Sequence, residues 1–241
     1  MRPFIEHIVE PTRLLLYWQA EESCTRSRYR VGELIKCEDG NIILKYDHDG
    51  YEFEQAKRLN FQGYPAFKLD QAEHSHQVQE AFMRRLPPRS RRDFVRYIEL
   101  KGISSTAEIS DFALLGYSGA KLPNDGFELM HPFDEPPREF EFVLEVAGFR
   151  HESEISSDSL ALGNLIQFRP EPMNQHDSQA IRVEYNGLKL GYVARSNLPL
   201  MHRMRQQGAD IIGEVFHTNG TAERPLIYLM TRIKQLSPTR V

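Results

Sequence analysis

The residues best suited to chemistry crowd into one stretch, Arg169-Pro-Glu-Pro-Met-Asn-Gln-His-Asp-Ser-Gln-Ala180. It is the densest cluster of turn and polar residues in the chain, and it leads directly into the apolar, β-branched run Ala180-Ile-Arg-Val183. An Asp placed like Asp177, just before a strand, reads first as a turn residue. A fixed carboxylate is also a good acceptor for a hydroxyl donor, and the same carboxylate repels a phosphate. Other chemistries find no support. His74 and His76 are two apart, so on a helix they point to different faces, and no third metal ligand lies nearby in sequence. Cys24 and Cys37 are the two cysteines and form no CxxC pair, which fits neither a disulfide framework nor a structural zinc site. No Ser-His-Asp or Cys-His arrangement can be argued from spacing, and no Gly-x-x-x-x-Gly-Lys phosphate loop is present. The expectation is a protein without cofactor or metal that is not an enzyme.

Charge narrows the kind of partner. The formal net charge is −4, unlike the basic chains that coat duplex nucleic acid without specificity. From Glu139 onward, eleven basic residues face twelve acidic ones, so any nucleic-acid contact there is a local pocket rather than a basic face. Arg84, Arg85, Arg89, Arg91, Arg92 and Arg96 form an arginine-rich run interrupted by one acid, Asp93. It reads either as a patch that tracks a DNA backbone or, slightly ahead, as a solvated helical surface broken by Pro87 and Pro88. The mix of 40% hydrophobic and 27% charged residues is that of a soluble globular protein. No apolar run approaches the roughly 20 residues of a membrane-spanning helix, and no secretory signal is evident. A cytoplasmic location with no membrane partner is the default.

Two groups of elements must position these residues. A seam, His131-Pro-Phe-Asp-Glu-Pro-Pro-Arg138, holds three prolines in eight residues and continues neither a helix nor a central strand. Before it, the spacing predicts strands at Arg13–Gln19, Tyr29–Ile35, Asn41–Tyr46 and Gly126–Met130. Helices follow from Val78, Phe82 and Leu86 at i, i+4, i+8, from Phe94, Tyr97 and Ile98, and from Phe112–Leu115 capped by Ser110 or Asp111. After the seam, strands are predicted at Phe140–Val146, Leu165–Phe168, Ala180–Tyr185, Leu188–Val193, Ile211–Phe216 and Leu226–Ile233. Asn186-Gly187 marks a type I′ hairpin, and one helix runs from Ser196 or Asn197, through Pro199, to a stop at Gly208. The fold class is an α+β amino-terminal domain, residues 1–130, a proline-rich linker, 131–139, and a mostly-β, OB-like small barrel, 140–241.

The order Asn174-Gln-His-Asp177, Ala180-Ile-Arg-Val183 and Gly191-Tyr-Val193, with Val146-Ala-Gly-Phe-Arg150 upstream, resembles the HIRAN domain. That family reads Pro-x-Asn-Pro-Tyr-Asp-x-x-Ala-Ile-x-Val and then Gly-His/Tyr-apolar. The resemblance implies an OB-like barrel that binds the 3′-hydroxyl end of single-stranded DNA. It places Arg150, Asn174 and Tyr192 against phosphate or backbone, and Asp177 as acceptor for the terminal hydroxyl. His151 and His176 fall where two tyrosines sandwich a base, and Phe216 lies near a further apolar contact, displaced by about one residue. Gln175 replaces the family's proline. Imidazole is a smaller stacking surface than phenol, which implies weaker or pH-dependent stacking. Outside the pattern, Arg150 is an ordinary exposed arginine, the histidines are surface residues, Tyr192 is half-buried packing, and Phe216 is core.

Val31-Gly-Glu-Leu34, Ile43-Leu-Lys-Tyr-Asp47, Phe82-Met-Arg-Arg-Leu-Pro-Pro88 and Ser118-Gly-Ala to Phe127-Glu-Leu-Met130 resemble the amino-terminal subdomain of HipA-type toxin kinases over about Leu14 to Met130. The kinase core that would follow in that family is replaced here by the HIRAN-like module, so no kinase activity is implied. The expected function is non-enzymatic binding of single-stranded DNA 3′ ends in repair or replication-fork processing, with a repair or helicase protein as partner. The alternative is a protein-interaction adaptor that does not touch DNA. The sequence is silent on oligomeric state.

Overall fold

The structure is a computed structural model and describes residues 3–20, 28–122 and 125–236. Cys24 lies outside the described residues. The chain packs as two compact units. One is formed by Glu10–Val95 with Glu108–Asp134. The other is formed by the residues up to Val9, Arg96–Ala107 and the chain from Glu135 onward.

The first unit is built on strands β1 (Arg13–Gln19), β2 (Arg28–Lys36) and β3 (Ile42–Tyr46). Helix α1 (Tyr51–Arg58), the two-residue strand β4 (Glu73–His74) and helix α2 (Val78–Met83) follow. Helix α3 (Phe94–Glu99) carries the chain from one unit to the other, and α4 (Asp111–Ser118) and β5 (Phe127–Met130) complete the first unit. The sheet is antiparallel in the order β4-β3-β2-β1-β5. Leu14, Leu16, Leu34 and Leu44 are buried in one cluster with Phe53 from α1, Phe82 from α2 and Phe112 from α4. Helix α4 begins as its sequence requires: Ser110 Oγ accepts from the Ala113 N–H at 3.0 Å. The sequence pattern misses α1, whose Phe53 and Ala56 are buried while the rest of the helix is polar or half exposed.

The arginine run divides by role. Arg85 is buried, not a surface group. Its guanidinium reaches both oxygens of Asp125, at 2.6 and 2.9 Å, and the carbonyls of Ala120, at 2.8 Å, and Phe127, at 3.2 Å. Arg89 bonds Asp111 and the Ile109 carbonyl, and Arg91 pairs with Asp93. A uniform basic patch is therefore not what these residues make. His131 and Phe133, inside the proline-rich seam, are buried and stacked with centroids 3.8 Å apart, and the residues through Asp134 pack with the first unit.

The second unit is a closed six-stranded barrel. Strand β6 (Glu139–Ala147) leads into the one-turn helix α5 (Phe149–Glu152). Strands β7 (Leu165–Pro170), β8 (Ile181–Tyr185) and β9 (Leu188–Val193), helix α6 (Leu198–Gln206) and strands β10 (Asp210–Thr221) and β11 (Arg224–Lys234) follow. The order around the barrel is β10-β11-β6-β9-β8-β7, all pairs antiparallel. Phe140, Phe142, Leu144 and Val146 alternate along β6 and are buried, the period-two signature of a strand with one face in the core. Asn186 and Gly187, at φ 50° and 79°, make the hairpin turn between β8 and β9.

The amino-terminal residues 3–9 and residues 96–107, which the sequence pattern groups with the first domain, belong to the barrel's unit. The cause is Glu141, on the other face of β6 and fully buried. Its carboxylate accepts from the backbone N–H groups of Glu6 and His7, at 3.2 and 3.1 Å, and from His7 Nδ1 at 3.2 Å. The Ile5 N–H bonds the Gly102 carbonyl at 2.7 Å, which joins the two segments. His217 in β10 donates from Nε2 to the Leu100 carbonyl at 3.2 Å. No helix among the described residues is long and apolar enough to cross a membrane.

Arg85→Ala takes the guanidinium from two carbonyls and leaves Asp125 with only the Phe127 N–H as donor, so the first unit should lose about 3–5 kcal/mol of stability. Arg84→Ala, at an exposed position, should change it by no more than about 0.5 kcal/mol. Urea unfolding followed by the fluorescence of Trp18, the single tryptophan, which packs on Phe61, checks both.

Candidate nucleic-acid interface

The polar cluster is the loop from β7 to β8, where Pro170 pairs with Ile181. Backbone bonds close it from inside. The Glu171 N–H donates to the Ala180 carbonyl at 2.9 Å, Asn174 N–H to the Glu171 carbonyl at 2.9 Å, and Ala180 N–H to the Asp177 carbonyl at 3.0 Å. His202 on α6 adds a tether, its Nε2 donating to the Gln179 carbonyl at 2.8 Å.

Asn174 organises the turn. Its Oδ1 accepts from the backbone N–H groups of His176, at 2.9 Å, and Asp177, at 3.1 Å. Its Nδ2 donates to Glu171 Oε2 at 2.6 Å and to the Tyr192 hydroxyl at 2.9 Å. The amide is therefore engaged at both ends. The Tyr192 hydroxyl in turn donates to Glu171 Oε2 at 2.8 Å. Glu171, Asn174 and Tyr192 form a closed triangle that fixes the loop to β9. The bonds from Asn174, then Tyr192, and after them the charges of Lys189 and Arg182, hold the Glu171 carboxyl below the usual carboxylate range.

A second link runs from β9 to α5. Lys189 Nζ sits 4.3 Å from the centre of the Tyr192 ring and pairs with Glu152 on α5. Partial burial alone would lower the Lys189 pKa, but the bonds to Glu152 and Tyr192 outweigh it, and the ammonium is held above its ordinary value. Glu154 accepts from the Lys189 N–H at 2.7 Å, and its own N–H donates to the Lys189 carbonyl at 2.8 Å. Gly191 makes this approach possible. A Cβ there would collide with the Ala147 carbonyl, at the point where Ala147 pairs with Tyr192 and the chain turns into α5.

The sequence-derived site residues separate accordingly. His176 and Asp177 are presented by the turn. His176 is exposed, and Asp177 is half-buried with Oδ1 accepting from the Gln179 N–H at 2.9 Å. Its Oδ2 holds no bond among the described residues. Arg150 and His151 lie exposed on α5, anchored by the buried Phe149, and their side chains make no polar contact among the described residues. Asn174 and Tyr192 are present at the site, but their polar atoms bond inside the protein. Phe216 is not at the site: it is fully buried in β10 and offers no exposed surface for the apolar contact that the resemblance implies. Glu171, Lys189 and Glu152 are the residues the sequence pattern misses. The signal for Glu171 was its place between Pro170 and Pro172, within the same cluster. No group of three or more metal-binding side chains occurs among the described residues.

Residues 140–230 match the family model of the HIRAN domain. The carboxy-terminal part of the chain is thus a HIRAN domain carried on a closed barrel. Two solved structures are similar to it. The crystal structure of the HIRAN domain of human HLTF is 22% identical, with a TM-score of 0.30, and the match covers 39% of this chain and 77% of that one. A protein from Lactobacillus plantarum is 26% identical, with a TM-score of 0.34, over 39% and 92% of the two chains. At those scores the description of the barrel rests on its own strand pairing. No curated protein matches the chain. The HIRAN match begins at residue 140, and the likeness of the first unit to the HipA amino-terminal subdomain finds no support.

Two outcomes follow. Phe216→Ala should destabilise the barrel by about 3–5 kcal/mol, as loss of a core aromatic does, measured by chemical denaturation. Glu171 has its folded pKa below the unfolded value, so its contribution is present above the unfolded pKa and lost as pH falls through the folded one. Stability should therefore fall less steeply below the ordinary carboxylate range in Glu171→Gln than in the wild type, measured by urea unfolding at stepped pH.

Proposed function

We propose that this protein binds the 3′-hydroxyl end of single-stranded DNA without catalysing a reaction, in DNA repair or replication-fork processing. The observation that carries the reading is Asp177. Its carboxylate is fixed by the Asn174-organised turn and by the Gln179 N–H, with Oδ2 left open. A terminal sugar hydroxyl is a donor that such an oxygen accepts, whereas a phosphate in its place is repelled. Arg150, exposed on α5, supplies the fork for the preceding phosphate. His151 and His176, both exposed, offer rings for a base, with a smaller stacking surface than tyrosine. The HIRAN match supports the same reading. Net charge −4 agrees with a contact of few phosphates, and so with a shallow dependence on salt. A repair protein or helicase is the partner this reading implies, and the cytoplasm the location.

Fluorescence anisotropy with a labelled oligonucleotide ending in either a 3′-hydroxyl or a 3′-phosphate tests it. The wild type should prefer the hydroxyl end. Asp177→Ala should abolish the preference, and Arg150→Ala should weaken both ends alike by about 1.5–3 kcal/mol, the range for a charged hydrogen bond. Equal affinity for the two ends would overturn the proposal.

A further inference from the structure

We propose that Glu171 is a positioning residue of this site: it holds the turn that presents Asp177, and so sets the discrimination between ends. The inference rests on the end-binding function proposed above. Glu171 Oε2 collects two donors at once, Asn174 Nδ2 at 2.6 Å and the Tyr192 hydroxyl at 2.8 Å. With both donors drawn to one oxygen, the Asn174 amide has a single orientation. Its Oδ1 is turned to the His176 and Asp177 N–H groups, at 2.9 and 3.1 Å. Without that acceptor Nδ2 keeps only the Tyr192 hydroxyl, at 2.9 Å, and that hydroxyl has itself lost the carboxylate that orients it, so the amide's hold on the two N–H groups loosens. The Glu171 N–H also closes the base of the loop on the Ala180 carbonyl at 2.9 Å, so side chain and main chain of one residue brace both ends of the turn.

The geometry gives Glu171 no need to touch DNA. Its partners are all protein groups, and its effect reaches the ligand through Asp177. That separates it from a residue that acts by its charge. A glutamine at 171 keeps an oxygen that can accept both donors but carries no charge, whereas an alanine removes the acceptor.

The test uses the full chain, oligonucleotides with 3′-hydroxyl and 3′-phosphate ends, and amide hydrogen exchange at His176 and Asp177. Glu171→Ala should lower the hydroxyl-over-phosphate affinity ratio by about tenfold or more, the scale of hydrogen bonds to a charged acceptor, and speed exchange at both amides. Glu171→Gln should stay within about threefold of the wild-type ratio, because the acceptor remains. A wild-type ratio in the alanine variant would overturn the inference. So would an equal loss in the glutamine variant, since the effect would then be one of charge. A wild-type protein with no preference between ends would defeat the end-binding function instead. In that case the exchange rates alone decide whether Glu171 positions the turn, with unchanged rates in the alanine variant overturning it.

Discussion

The barrel depends on the double demand made of β6. Its residues Glu139–Glu145 pair with β11, and its last two, Val146 and Ala147, pair with β9. One strand must close the barrel on one side and release the chain on the other within nine residues. The inward face meets the demand with Phe140, Phe142, Leu144 and Val146. The opposite face carries the buried Glu141, which draws the amino-terminal segment onto the barrel because a buried carboxylate must be hydrogen-bonded. Where β6 ends, the absent Cβ of Gly191 lets the two backbones approach closely enough for α5 to start beside β9. Arg150 and His151 owe their place to that packing.

A polar triangle then fixes the β7–β8 loop to the barrel. Asn174 and Tyr192 have the residue types of ligand contacts, and the family resemblance assigned them that role. The structure uses their polar atoms internally, on Glu171, on each other, on loop backbone and, for Tyr192, beside Lys189. A residue type states what a side chain can bond, not whether a neighbour has already taken the bond. That neighbour, Glu171, is close in sequence to Asn174 but reaches Tyr192 only through the folding of β7, β8 and β9.

The legible and illegible parts divide on the same line. Short apolar runs bounded by turn residues locate β1 and β9 to the residue and most other long strands to within a few residues at their ends, because composition and turn signals are local. β10 runs on to Thr221 and β11 already starts at Arg224, since these polar tips pair with each other as a hairpin beyond the apolar cores of the two strands. Asn186-Gly187 was readable because positive φ at both positions restricts the residue types. The joining of residues 3–9 and 96–107 to the barrel was not, because it follows from partners more than a hundred positions apart, such as His7 with Glu141 and Leu100 with His217. The burial of Arg85 was hidden for a similar reason: Asp125 and the Phe127 carbonyl lie some 40 positions away. Phe216 is core, as its place in an apolar strand implies, and not the contact that the resemblance implies.

The loop carries two acids, Glu171 and Asp177, and no Lys or Arg. Of the acids near the site, Glu152 is paired with Lys189, Glu154 lies 3.8 Å from Arg182, Glu184 is held between Arg169 and Arg182, and Glu171 is engaged by Asn174 and Tyr192. Within the loop and α5, that leaves an open carboxylate oxygen on Asp177 and an exposed guanidinium on Arg150, one charge of each sign. A continuous strand presents phosphate at every step and would be attracted by one and repelled by the other. A strand terminus differs, since it offers a phosphate on one side of its last sugar and a hydroxyl donor on the other. Asn174 and Tyr192 are neutral donors, so Glu171 keeps its charge but spends one oxygen on bonds inside the protein, whereas Asp177 keeps an oxygen open; on the proposed function it is that oxygen a terminal hydroxyl would meet.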